Sequence, residues 1–584
     1  MRAPPTVRHE DPLRRRRASE RFLFSKKQDA PLRVCLVYPN RYPLAMGNLG
    51  FQAVYEIIDS HPGVVCERAF LPDESDGAAP GGLRALESGR AVRDFSIVAF
   101  SISFESDYLN IHRMLELIGL PASREDRDPR APLLIAGGPA IFLNPEPIAD
   151  LFDLFLIGEA EEMLPEFLDV YRESHEAKSR DALLDTVATR VAGTYVPAHF
   201  EPSYDGPVLS GVRYRGPAEP RVERRLIWDL NRFATTTKVL SDEAVFGDMV
   251  MVEASRGCQW GCRFCAAGFM YRPIRTRDPA RVADSVREGL GARSTIGLVG
   301  AEMASVPGVD ALAELASDAG GRLSPSSLKA DCVTPRLAAA LARGGTRSVT
   351  VAPEAGSERM RRVINKNLSE DDILRAAELL VGEGMQSLKL YFMFGLPTET
   401  DEDVLAIAAL VEKIRGRLCE GSRGRGRIGG VTVSLNPFSP KPWTPFQWDP
   451  MEPISSLRAK TRILRRACGR IPNLTFDVES PREAYLATLL SRGDRRLSRA
   501  LAAVHAAGGD WWRVIRDWQR GGLEDLPSPD AWVHRSYGES ELLPWDFIDH
   551  RIAKSYLWVE RRKALAARQT EPCDTATCHS CAAC

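Results

Sequence analysis

Seven of the chain's twelve cysteines fall in two tight groups, and their spacing is the first feature that could do chemistry. The first group lies in Glu253-Ala-Ser-Arg-Gly-Cys258-Gln-Trp-Gly-Cys262-Arg-Phe-Cys265-Ala-Ala-Gly268. Three thiolates so close can wrap one iron–sulfur cubane, and Gly257 and Gly261 let the backbone curl around it. Three ligands leave one iron of a 4Fe-4S cluster open, which a closed electron carrier with four thiolates does not offer. Cys258, Cys262 and Cys265 are therefore the expected metal ligands and catalytic residues. A zinc knuckle with a remote fourth ligand, or three free thiols, is the competing reading of the same residues.

The second group, Cys573, Cys578, Cys581 and Cys584, lies in EPCDTATCHSCAAC. Four thiolates at these spacings could hold a second 4Fe-4S cluster or a zinc ion, and His579 could replace one of them. A reactive tail without metal is the third reading. Cys35, Cys66, Cys332, Cys419 and Cys468 stand apart. In a reducing compartment, thiols clustered at short spacing read as metal ligands rather than disulfides.

These groups sit in a chain of 584 residues, long enough for two or three domains, with 44% apolar and 27% charged residues. Lys and Arg number 77 against 78 Asp and Glu, so no global charge draws the protein to nucleic acid or to an anionic membrane. No apolar run approaches the roughly 18 residues of a membrane-spanning helix. Arg14 to Arg17 could suggest an export signal, but Glu20, Lys26, Lys27 and Asp29 follow where an apolar core would be needed. Residues 1–30 are expected to be a solvated basic arm, and the protein to be cytoplasmic, with no membrane partner and no nucleic acid indicated.

The elements that must position the cysteines follow an α/β pattern. Over residues 31–190, short apolar runs at Val34 to Tyr38, Ser96 to Ser103, Leu133 to Ala136 and Leu154 to Ile157 predict a Rossmann-like parallel sheet. The last two end on Gly137-Gly138 and Gly158-Glu159, where such sheets bind ligands. Residues 191–244, where prolines recur and periodicity weakens, read as a connecting segment. From residue 245 to 450, six strand–helix units predict a (β/α)6-type partial barrel of the triosephosphate-isomerase type, with chemistry at the strand ends. Its strands are expected from Met249, at Thr295 to Val299, Ser327 to Ala330, Ser348 to Val351, Ser387 to Phe394 and Val431 to Leu435. The Gly/Arg-rich stretch Arg415 to Gly430 reads as a flexible loop. Residues 451–565 read as mainly helical, with Trp511, Trp512 and Trp518 as packing residues, followed by the Cys-rich tail 566–584.

Taken with its place after the first barrel strand, the three-cysteine loop resembles that of the radical S-adenosylmethionine (SAM) superfamily. The resemblance implies a 4Fe-4S cluster whose open iron binds SAM, and an electron that cleaves SAM to a 5′-deoxyadenosyl radical. It implies Phe264 near adenine, Gly300-Ala301-Glu302 at the methionine amino group (with Ala301 where the family has a second glycine), and Glu354 at ribose or carboxylate. Lys329 could pair with the carboxylate, or be solvent-exposed or engaged in a salt bridge. Leu390 to Thr400 and Asn436 to Trp448 resemble the fifth and sixth strand endings of the family.

The N-terminal domain resembles the cobalamin-binding-like domain that precedes many radical SAM barrels, which implies a corrin near Gly137, Gly138, Gly158 and Glu159. Asp59-Ser60-His61-Pro62-Gly63 is one residue short of the family's histidine motif and lies after a helix. Cobalamin binding and a degenerate domain that only packs on the barrel both stay open. The whole resembles an uncharacterised family of such fused enzymes with a Cys-rich tail. Methyl transfer through cobalamin to an unknown substrate is the first expectation, with a flavodoxin or ferredoxin as electron donor. Methylthio transfer to RNA or protein is second, and an iron–sulfur protein for electron transfer or sensing is the non-enzymatic alternative.

Overall fold

The structure is a computed structural model, and it describes residues 12–73, 82–175, 179–421, 429–575, 577–578 and 580–583. Residues 1–11 of the expected basic arm, residues 422–428 of the Gly/Arg-rich stretch, His579 and Cys584 lie outside these.

The N-terminal sheet has the order Val64–Phe70, Leu32–Tyr38, Ile97–Ser101, Leu133–Gly137, Leu154–Leu156 and Thr194–Tyr195, with only the last strand antiparallel. Val34, Cys35, Leu36 and Val37 are buried in succession, as a parallel strand covered on both faces requires. One face packs on the helices Leu49–Ser60 and Ala160–Ser174. The other shares one continuous core with the barrel and the C-terminal helices. The chain order 2-1-3-4-5 places a topological switch between Leu32–Tyr38 and Ile97–Ser101, where a crevice opens at the strand ends.

The second parallel array runs in chain order: Met249–Glu253, Thr295–Val299, Arg322–Pro325, then Ser348–Glu354, Ser387–Phe394, Gly430–Pro437 and Leu474–Val478. A parallel bridge between Leu328 and Val351 joins its two parts. The third strand lies before the expected Ser327 to Ala330, because Leu323 rather than Leu328 comes into register with Ile296. A further parallel strand, Leu474–Val478, falls in the stretch read as helical. Along Ser387–Phe394 and Gly430–Pro437 alternate residues are buried against the outer helices. The other face carries Lys389, Tyr391, Thr432, Ser434 and Asn436, a polar interior only half shut from solvent.

Three further departures from the sequence reading are local. Residues 12–30 pack down instead of waving free: Pro12–Ser19 is helical, Arg21–Phe22 pairs with Val239–Leu240, and Glu20 meets the fully buried Arg68 at 2.6 Å. Arg16, Glu20 and Lys26, among the charges that made the arm look solvated, are thus paired, with Asp73, Arg68 and Asp59. The connecting segment carries a hairpin, Phe200–Asp205 with Val208–Tyr214. The helix Asp401–Gly421 runs six residues past the expected Arg415, into the Gly/Arg-rich stretch.

Beyond the barrel the helices Ile454–Cys468, Pro481–Arg492, Leu497–Ala506, Trp511–Gln519 and Lys554–Leu565 follow. Trp518 and Trp545 are buried, and Arg495 pairs with Glu146 at 3.0 Å, tying this region to the N-terminal domain.

Candidate functional site

The cluster loop leaves the first barrel strand and is pinched at its neck by Ser255–Arg256 pairing antiparallel with Arg275–Thr276. Gly257 stands in that neck at φ +79°, where a Cβ would lie 2.5 Å from the Tyr271 carbonyl oxygen. Within the loop Cys265 N–H donates to Cys262 O and Gly268 N–H to Cys265 O, both at 3.1 Å, a turn that leads into the short helix Ala267–Met270. The structure brings the three thiols together. Desolvation, then the neighbouring Cys262, pushes Cys258 up to about 12 and Cys265 up to about 11. Thiols so disfavoured as anions need a cation beside them to bind as thiolates, which the irons of a cluster would supply. Among the described residues no trio of Cys, His, Asp or Glu converges on a single ion. A cubane, which spreads its thiolates over separate irons, is the better fit to this loop than a zinc knuckle.

Other strand ends close around the loop. Phe264 and Met393 are partly buried against the apolar cluster that contains Leu396, Phe438 and Phe446, at the ends of the fifth and sixth barrel strands. Lys329 Nζ lies 3.8 Å from the centre of the Trp260 ring, pairs with Asp331 and donates to Asn367 O. Glu354, at φ +66°, pairs with Lys366 at 3.4 Å. Glu302 turns its carboxylate onto its own loop, accepting from the N–H of Ala304 at 2.6 Å, Ser305 at 3.0 Å and Lys329 at 3.2 Å. A Cβ on Gly300 would meet Met303 Cε at 2.3 Å and push that side chain aside, and Ala301 is exposed.

Lys366 was missed in the sequence. Burial opposes its charge, yet Glu354 and then Cys262 hold its ammonium above the usual lysine range. It stands between Asn365 and Asn367, both in the left-handed region at φ +55° and +49°. The Asn-Lys-Asn run was the available signal, since Asn tolerates that conformation better than other residues with a Cβ.

Between the carboxyl ends of the N-terminal strands and the cluster loop lies a cavity of about 410 Å³. Gly137, Gly138, Gly158 and Glu159 line it from the sheet, and Gly257, Gly300 and Ala301 from the barrel. Gly138 and Gly158 are glycines for reasons internal to the protein: at φ +118° and +135°, their Cβ atoms would fall 2.4 Å from Ile102 O and 2.5 Å from Arg225 N.

Glu159 likewise has a structural task. Its carboxylate, 3% exposed, takes two hydrogen bonds from Arg275, at 2.7 and 2.8 Å, and lies 3.2 Å from Arg256. Arg256 in turn pairs with Glu161 and Glu253, and Arg277 with Glu253. This buried network ties the fifth N-terminal strand end to both strands of the neck below the cluster loop.

The opposite side of the loop is held by the C-terminal helix. Arg263, between Cys262 and Phe264, is fully buried; it pairs with Glu560 at 3.0 Å and donates to the carbonyls of Arg362, Val363 and Arg568. Of the tail cysteines, Cys573, Cys578 and Cys581 are described, and all three lie on this side.

Residues 252–411 match the family model described as radical SAM superfamily. The chain belongs to the radical SAM superfamily. Residues 50–197 match a second model, radical SAM proteins, N-terminal, over most of the sheet domain. The chain is thus a radical SAM enzyme rather than a bare electron carrier, and the superfamily implies SAM and a 4Fe-4S cluster, for which Cys258, Cys262 and Cys265 are suitably arranged. The uncharacterised protein MJ0966 of Methanocaldococcus jannaschii is 28% identical over 422 residues, spanning 72% of this chain and 83% of that protein. Among solved structures, the radical SAM methyltransferase TsrM of Kitasatospora setae, with tryptophan and a SAM analogue, is 15% identical over 69% of this chain and 72% of its own, with a TM-score of 0.48. The cobalamin-dependent SAM radical enzyme OxsB, with aqua-cobalamin and SAM, is 12% identical over 91% of this chain and 78% of its own, with a TM-score of 0.47. No helix among the described residues is long and apolar enough to cross a membrane.

Proposed function

We propose that this radical SAM enzyme is cobalamin-dependent and transfers a methyl group to a substrate held between its two domains. The cavity of about 410 Å³ carries this reading. It lies where a sheet of this strand order receives flat cofactors, and within the roughly 300–1,000 Å³ of ligand cavities in general. Leu36, Ala53, Ile57, Ala99 and Leu164 give it apolar walls suited to the face of a corrin. Asn48, Ser101 and Ser103 offer polar partners for peripheral amides. The cluster loop forms its far side, so a corrin and a radical source would face one another.

In this reading Cys258, Cys262 and Cys265 hold the cluster and Phe264 gives adenine an apolar wall. Glu354, Lys366 and Lys329 stand as charged groups beside the bound SAM. Bound there, the cluster would supply the electron that cleaves SAM, and cobalamin would carry the methyl group. The substrate enters through the half-open polar barrel interior. Electrons come from a low-potential flavodoxin or ferredoxin, and the cytoplasm is where such donors and free thiols coexist. Methylthio transfer is disfavoured because it needs an N-terminal cluster. Cys35 and Cys66, the cysteines of that domain, are wholly buried in adjacent strands.

Anaerobic reconstitution of the full chain with iron, sulfide and hydroxocobalamin, followed by dithionite and SAM, tests both levels. The expected products are 5′-deoxyadenosine and a protein that keeps a corrin absorption through gel filtration. Ala53→Trp, which fills the cavity from the helix Leu49–Ser60, should lower corrin retention at least tenfold with iron unchanged. A wild-type chain that cleaves SAM yet retains no corrin would end the cobalamin reading and leave the radical chemistry standing.

A further inference from the structure

We propose that Cys573, Cys578 and Cys581 hold an iron–sulfur cluster seated against the radical-cluster loop, through which electrons from a protein donor reach the catalytic cluster. The proposal rests on superfamily membership and not on cobalamin, so the two can fail separately.

The spacing of the three thiols, four residues and then two, is that of the first three ligands in plant-type ferredoxins. Spacing alone would not place them, and the fold does. After the helix Lys554–Leu565 the chain turns back across the cluster loop. Thr570 N–H donates to Asn365 Oδ1 at 2.8 Å, and the same Asn365 donates to Gly261 O at 3.1 Å. Cys573 N–H then donates to Gln259 O at 2.8 Å, the residue next to Cys258. Cys581, 2% exposed, accepts at its carbonyl from Ala553 N–H at 3.1 Å, which fastens the far end of the tail to the start of the helix.

Arg272 joins the two cysteine groups. Its guanidinium, 3% exposed, donates to Gly268 O at 3.0 Å within the radical-cluster loop and to Tyr556 OH at 3.3 Å, and it also meets the Cys581 thiol. A permanent cation at this position offsets the negative charge that thiolate-bound clusters on either side would bring. A tail of this composition with no metal would have little cause to bury Cys581 and Ala583 or to set a buried arginine on a thiol. The outer side of the tail, by contrast, is open: Glu571, Pro572, Asp574 and Thr575 are exposed around Cys573. A docking donor has an open approach to this surface.

The electron balance is simple. A reduced low-potential one-electron carrier, flavodoxin or ferredoxin, loses one electron; the tail cluster gains it and passes it to the radical cluster, returning to its oxidised state. No bond forms or breaks in either transfer.

Iron and sulfide analysis, zinc analysis and electron paramagnetic resonance of the reconstituted full chain test the site. In C258A/C262A/C265A protein about two to four irons per chain should remain, with a reduced-cluster signal whose form tells a 2Fe-2S from a 4Fe-4S centre. Loss of all iron from that variant, or one zinc per chain in its place, overturns the proposal. For the route, C573S/C578S/C581S is compared with wild type using reduced flavodoxin and using dithionite, and thermal unfolding confirms that the variant is folded. The ratio of flavodoxin-driven to dithionite-driven 5′-deoxyadenosine formation should fall at least tenfold. An unchanged ratio overturns the relay even if the iron is present.

Discussion

At the scale of single residues, the cluster thiols are held in a state that only metal relieves. With Cys258 pushed up to about 12 and Cys265 to about 11, thiolate is scarce at neutral pH in the metal-free chain. Iodoacetamide should therefore alkylate these two cysteines about 10²–10³ times more slowly at pH 8 than an ordinary exposed thiol. Their rates should keep rising about tenfold per pH unit to beyond pH 10. Peptide mapping of the apo protein reads this directly, and alkylation of all three at the rate of an ordinary thiol would show that the loop does not enclose them. The thiols themselves were legible from spacing alone. Glu302 was legible only as a position, because a motif cannot say whether a carboxylate faces a ligand or accepts from its own loop. Lys366 was legible only as the middle of an Asn-Lys-Asn run, since its charge acquires meaning only when Glu354 and Cys262 come beside it.

At the scale of elements, alternation and apolar runs gave most strands, because each is a local pattern answering a local burial. Leu474–Val478 escaped: its neighbours are helices, and as an edge strand it buries little, so it lacks a strong apolar signal. Val64–Phe70, interrupted by Glu67 and Arg68, was missed as well. Its charges are buried only because Glu20, Glu87 and Ser88 come to meet them. The same principle governs the neck of the cluster loop, where Glu159 holds Arg275 and Arg256 across a domain boundary. Glu159→Ala leaves the buried Arg275 guanidinium without its counterion, while Arg256 keeps Glu161 and Glu253, and breaking a buried pair in this way costs about 3–5 kcal/mol. The expected outcome is a lower unfolding temperature and a cluster lost more readily to chelators, measured on the reconstituted protein. A variant with wild-type unfolding and iron retention would mean that the neck stands without the carboxylate. Hydrogen bonds from Arg275 and the charge of Arg256 outweigh desolvation and keep this carboxylate below the usual range, so the network holds well into mild acid.

At the scale of the whole molecule, the N-terminal sheet, the barrel and the C-terminal region meet at His550. It is fully buried; its Nε2 lies 2.8 Å from Phe142 O at the sheet's end, and its ring packs 4.8 Å from Trp443 beyond the sixth barrel strand. Burial first, then the nearby Arg224, lowers its pKa to about 3. No pattern in the sequence marks this histidine, because the three parts that bury it are separated by hundreds of residues. The sign of its effect follows from the unfolded value near 6.5. Between about pH 3 and 6.5 the unfolded chain binds this proton and the folded chain does not, so stability is whole above pH 6.5 and is lost as pH falls. The loss at pH 5 is about 2 kcal/mol from this group, and His112, lowered to about 4 by burial and then by His505, acts in the same direction. Denaturant unfolding at pH 7.5 and pH 5 should show this fall in wild type and a smaller one in His550→Gln, which keeps a hydrogen-bonding group but cannot titrate. Equal falls in both proteins would move the acid sensitivity elsewhere.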